Sequence, residues 1–148
     1  MNEIDALSQK IGELRASNIT VDDFHQWVVA SSATLSKVVS QGVLLKFKRG
    51  DMSKIMAASK VVLPPCSKCS SLFKEGEFSD RAEHASCARI VDQAMATGLL
   101  NRVGRPNWFK PNSNQLGADA YFECSSCGAL WTLVEPERQY HGLWERVV

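Results

Sequence analysis

Five cysteines are the side chains best placed to do chemistry in this 148-residue chain, and four of them form two Cys-x-x-Cys pairs. Cys66 and Cys69 lie in PPCSKCSSLF, Cys124 and Cys127 in YFECSSCGALW. Two intervening residues let the backbone curl so that both sulfurs of a pair reach one ion while neighbouring amides point at the thiolates. Four thiolates of this kind suit a tetrahedral ion, which predicts structural Zn2+ held by Cys66, Cys69, Cys124 and Cys127. Iron accepts the same quartet. Pro64-Pro65 before the first pair and Gly128 after the second distinguish the pattern from scattered buried cysteines.

The run CSSCGALW resembles the second knuckle and following strand of zinc-ribbon proteins, with Gly128 at the tight turn and Trp131 packing beside the metal. That resemblance spans about 30 residues and implies a local fold and a structural metal. Ribbons serve transcription factors, enzymes, ribosomal proteins and adaptors alike, so it implies no activity.

A rival ligand set exists. The fifth thiol, Cys87, follows His84 by three residues, and Cys66, Cys69, His84 and Cys87 would make a three-sulfur, one-imidazole site that closes shorter loops. It would leave Cys124 and Cys127 without partners. Cys87 also falls on an apolar helical stripe, where a free cysteine behaves as a small hydrophobe.

Four cysteines fill a zinc shell, whereas a catalytic zinc keeps a position for water. PPCSKC looks like the Pro-Cys-x-x-Cys half of nucleobase deaminases, but His-x-Glu is missing: Gln26-Trp27 follow His25, and Ala85-Ser86 follow His84. The chain contains no HExxH, Walker loop, GxSxG or GxGxxG. No βαβ pattern surrounds either Cys-x-x-Cys to suggest redox work. His25 and His141 read as partly exposed side chains, and the expectation is a non-enzymatic protein.

The elements that would position the quartet follow from periodicity. Ile4, Leu7, Ile11 and Leu14 share one stripe of a helix over 2–15, suited either to an internal core or to a homodimer seam. Thr20 and Asp23 form a capping-box pattern that opens a second helix, with Phe24, Trp27, Val28, Leu35, Val38 and Val39 inward and Gly42 as its stop. VLLKFK (43–48) reads as a short strand, Asp51 as the cap of a helix over 52–59, and VVLPP as extended chain.

The 54 residues between the knuckles form an insertion. Ser79 is the expected N-cap of a helix whose stripe is Cys87, Ile90, Val91, Ala94 and Met95, ending at Gly98. Extended stretches at Trp108-Phe109 and 120–123 then flank an Asn/Ser/Gly-rich loop and suggest a hairpin. This succession weakly resembles the helix and wing of winged-helix domains. ALWTLVE and YHGLWERV supply two further strands. Trp131 and Trp144 should pack on the sheet, while Trp108 is expected exposed with Phe109 buried.

The fold class is therefore α+β: a helical N-terminal half, a C-terminal antiparallel zinc-ribbon-like sheet and an inserted helix-hairpin. The expected division is 1–59 and 60–148, with the insertion at 70–123, in one compact domain overall. A chain of this length buries about 68–70% of its unfolded surface. Its 45% hydrophobic and 22% charged content belongs to globular proteins.

The opening MNEIDALSQKIGELR lacks a signal-type apolar core and no run of 18 apolar residues occurs, so a soluble, cytoplasmic protein without membrane association is expected. Net charge is +1, but residues 44–69 carry six basic side chains against Asp51. That stretch suits phosphates or an acidic protein, or is simply a solvated face. The run YFECSSCGALWTLVEPERQYHGLWERV is similar to small bacterial immunity-type proteins, which implies a protein partner, a cognate toxin. The alternative is a nucleic-acid-binding regulator using 44–69 with Arg102 and Arg105.

Overall fold

The computed structural model describes residues 2–111 and 116–148. Asn112–Gln115, part of the expected Asn/Ser/Gly-rich loop, lies outside the described residues. The chain divides into two compact units, Met1–Pro64 and Pro65–Val148.

The first unit is helical: α1 (Glu3–Arg15), α2 (Val21–Ala30), α3 (Ser32–Leu35), α4 (Gln41–Arg49) and α5 (Met52–Val62). All but the short α3 start with a side-chain cap. Asn2 accepts from the Asp5 amide, Thr20 and Asp23 form the reciprocal capping box, Ser40 accepts from Val43 and Asp51 from Lys54. Leu7, Ile11 and Leu14 of the α1 stripe are buried with Phe24, Val28, Leu35, Leu44, Phe47, Ile55 and Met56. The stripe thus serves an internal core.

Three expectations for this unit are overturned. The long helix to Gly42 breaks after Ala30, in ASSATLS. The Thr34 hydroxyl donates to the Ser31 carbonyl and the Ser36 hydroxyl to the Ala33 carbonyl, side-chain bonds that compete with helix propagation. Trp27 is half-buried and Val38 exposed. VLLKFK is not a strand but most of α4, with Gly42 inside its first turn. Ser40 caps it, Leu44 and Phe47 face inward at helical spacing, and Lys46, Lys48 and Arg49 occupy the last turn, where the helix dipole favours cations. Likewise α5 runs through Val62, so extended chain begins only at Leu63, before Pro64. His25 Nε2 lies 2.8 Å from the Gly50 carbonyl and ties α2 to the α4–α5 turn.

The second unit holds α6 (Ser67–Ser70), β1 (Gly76–Glu77), α7 (Arg81–Ala96), β2 (Leu100–Val103), β3 (Asp119–Cys124), β4 (Leu130–Val134) and β5 (Leu143–Arg146). Its five strands form one antiparallel sheet in the order β1-β5-β4-β3-β2. The α+β class, with helices first and an antiparallel sheet after, holds.

The N-cap of α7 is Asp80, which accepts from the Glu83 amide, rather than Ser79. Cys87, Val91 and Ala94 face the sheet face built from Leu100, Phe122, Cys124, Trp131, Leu133 and Trp144. The hairpin partner of 119–124 is 100–103 rather than Trp108-Phe109. Residues 107–108 are a turn instead, and both aromatics are half-buried, Phe109 lying edge-on to Tyr121 with ring centres 6.0 Å apart.

Candidate metal centre

The first pair sits on α6. Cys66 is its N-cap in extended conformation, and the single turn Ser67–Ser70 brings Cys69 back beside it, closed by the Ser70 amide donating to the Cys66 carbonyl at 3.1 Å. The second pair sits where β3 turns into β4. There the Gly128 amide donates to the Cys124 carbonyl at 2.8 Å and the Cys124 amide to the Ala129 carbonyl at 2.9 Å. Gly128 has φ +77°, a conformation that costs glycine nothing and other residues about 1 kcal/mol or more.

These two turns place the four Sγ atoms within 4.8 Å of one another. Cys66 lies 3.7 Å from Cys69 and 3.7 Å from Cys124, and Cys69 lies 3.7 Å from Cys127. All four cysteines are free, and 3.7 Å is far beyond a disulfide length of about 2.05 Å. A tetrahedron with zinc–sulfur bonds of about 2.3 Å has edges of roughly 3.8 Å. These three separations match edges of an S4 coordination shell, and the quartet can hold a metal ion.

Nearby polar groups favour the thiolate of Cys66, but burial wins at Cys69 and Cys124. The Cys66 amide donates to Cys127 Sγ at 3.4 Å. At Cys66 itself burial raises the thiol, but the Cys69 amide and the neighbouring sulfurs outweigh it and bring it down to about 6. Burial pushes Cys69 well up, with the sulfur of Cys127 adding to the effect, while the Trp131 indole acts in the opposite direction. Trp131 Nε1 is buried and meets no partner at good hydrogen-bond geometry, so the adjacent sulfur is its natural acceptor. Cys124 is also raised by burial, against the amides of Cys127 and Ser126. Four sulfurs this close, two of them on buried cysteines, cannot all ionise without a cation between them, and a divalent metal supplies that charge.

The quartet expected from the sequence is thus brought together, and the rival set is not. Among the described residues the four cysteines are the only cluster of metal-ligating side chains, with His84 and Cys87 outside it. Cys87 is fully buried on α7 and its thiol is pushed up to about 12 by burial, helped by Glu83. His84 lies edge-on to Phe78, ring centres 5.7 Å apart. Cys87→Ser should therefore leave the metal content unchanged and cost about 1–3 kcal/mol, the range for a hydroxyl placed in an apolar pocket. Metal analysis and urea unfolding check it, and loss of metal from that variant would restore the rival set.

The sequence marked Trp131 as packing, without any sign that its indole acts on Cys69 or that the Cys66 amide serves Cys127 across 61 positions. Those are products of how the two turns meet. No helix among the described residues is long and apolar enough to cross a membrane. Comparison of the chain with protein-family models, curated proteins and solved structures found no match to any of the three.

Proposed function

We propose that the protein is a non-enzymatic, protein-binding module whose second unit is held together by one structural zinc ion on Cys66, Cys69, Cys124 and Cys127. The observation that carries this reading is the convergence of four sulfurs, all within 4.8 Å of one another, from two separate turns, one preceding α7 and one following it. Four protein ligands complete a zinc shell and leave no corner for a reacting water, which fits a structural role. Hard carboxylate-seeking ions are poorly matched to four sulfurs. The bound metal would also tie together residues 61 positions apart, which explains how a short α6 and a β-turn keep one geometry.

Binding is the role we assign because the site serves architecture rather than turnover. The likeness of the C-terminal run to immunity-type proteins makes a bacterial toxin domain the first partner to test. Purified protein should carry one zinc per chain, with X-ray absorption fitting four sulfurs and no oxygen. In a pulldown from its source cells, one protein should be retained at near-equal stoichiometry. A light-atom ligand in the shell, or a visible iron–thiolate spectrum, would overturn the structural-zinc assignment. A zinc-loaded protein that retains no partner would overturn the binding role alone.

A further inference from the structure

The helical unit carries a surface that its core does not explain. Between Phe24 and Gly50 the chain contains no Asp or Glu, while Lys37, Lys46, Lys48 and Arg49 fall within it. Because α4 turns Leu44 and Phe47 inward, helical geometry sends Gly42, Leu45, Lys46 and Arg49 outward, and all four are exposed. Leu45 retains 50% of its surface in solvent.

Lys54 joins this corner from α5. Gly50 approaches so tightly that a Cβ there would lie 3.0 Å from the Lys54 Cβ and 2.5 Å from the Lys46 carbonyl oxygen. The carboxylate nearest in sequence, Asp51, is occupied in capping the Lys54 amide at 2.9 Å. Among the described residues, none of Lys46, Lys48, Arg49 and Lys54 forms an ion pair, nor does Asp22, one turn before the His25 that reaches Gly50.

Local stability accounts for only part of this pattern. Cations in the last turn of α4 complement its dipole, but Lys54 lies in the first turn of α5, where the dipole disfavours a cation and Asp51 at the cap is the one carboxylate that offsets it. Nor does any local effect require a leucine in the middle of the charged face. We infer that the outward face of α4, with Lys54, is the surface through which the protein engages its partner, an acidic peptide segment that seats an apolar side chain against Leu45. This rests on the protein-binding reading above. Charge complementarity sets the sign of the occupant, and Leu45 sets its class. Phosphate backbones gain nothing from an exposed leucine, and the first unit, with eight basic against six acidic side chains over residues 1–64, lacks the strongly basic balance of a nucleic-acid binder.

The test uses the full, zinc-loaded chain and fluorescence anisotropy with three labelled probes: a peptide of Glu, Asp and Leu, the same peptide with Ser for Leu, and a DNA duplex. The leucine peptide should bind, more weakly as salt rises, and the serine peptide should bind at least several-fold less well. Lys46→Gln combined with Arg49→Gln should weaken the leucine peptide about tenfold, and Leu45→Ser should weaken it separately, with melting temperatures lowered by no more than about 5 °C as the dipole loses its cations. Preference for the duplex, equal binding of the two peptides, indifference to both variants, or no peptide binding at low salt would each overturn the inference. A native partner retained undiminished by the double variant would remove this surface while leaving the protein-binding role intact.

Discussion

Cys69→Ser is expected to abolish metal binding and destabilise the second unit by more than about 4–5 kcal/mol, the range reserved for changes such as the loss of a metal. Cys69 is fully buried, its sulfur sits 3.7 Å from those of both Cys66 and Cys127, and the Trp131 indole acts on it. A serine oxygen has a shorter reach, is a harder donor and remains protonated, so three ligands and an unmet corner remain. In small zinc peptides the coupled binding energy is about 10–16 kcal/mol at neutral pH. This unit has its own sheet and α7 packing, so part of its structure should survive, and the loss should be smaller than in a peptide.

The measurement is zinc content together with urea unfolding followed by near-ultraviolet circular dichroism, which reports the buried tryptophans. Stripping the wild type with a strong chelator should reproduce the Cys69→Ser curve, and Lys68→Ala, on the exposed side of the same turn, should stay within about 0.5 kcal/mol of wild type. A Cys69→Ser protein that melts with the wild type would mean that the four sulfurs meet without holding anything together.

The parts of the fold that were legible in the sequence are those fixed by short-range chemistry. Thr20 with Asp23, Asp51 and the 3-4-3 spacing from Ile4 to Leu14 are local patterns, and each marked a helix, although where the second and the Asp51-capped helices end was not legible. The four cysteines were legible for a different reason: their donor chemistry has few other uses in pairs, so the 54-residue separation did not hide their convergence. What failed was decided by distance or by competition. VLLKFK supports both periods, and the cap at Ser40 together with the pull of Phe24 and Phe47, whose rings meet at 5.9 Å, settled it as helix. The partner of β3 was misread because β2 buries only Leu100 fully and shows Asn101 and Arg102 to solvent, so it carries almost no alternation. The two-residue β1 is too short to leave any pattern.

The second large effect falls on the tryptophan pair behind the centre. Trp131 and Trp144 stack with ring centres 5.0 Å apart and planes 8° apart, both essentially without exposure, and Phe122 lies 6.3 Å from Trp144. Trp144→Ala should cost about 3–5 kcal/mol, because it leaves a ring-sized void in a face that α7 already covers. The phenylalanine variants separate the two indoles. Trp144 Nε1 is buried without a partner, so Trp144→Phe trades lost contact area against relief of an unsatisfied donor and should cost well under half as much as alanine. Trp131→Phe deletes the N–H that acts on the Cys69 sulfur, so its effect should appear in metal retention. Polar groups behind metal ligands typically contribute 10–100-fold in affinity, and zinc transfer to a chromophoric chelator should accelerate for Trp131→Phe and not for Trp144→Phe. Equal zinc release from the two variants would show that Trp131 supports the sheet alone and that the thiolate next to it is held by the backbone amides.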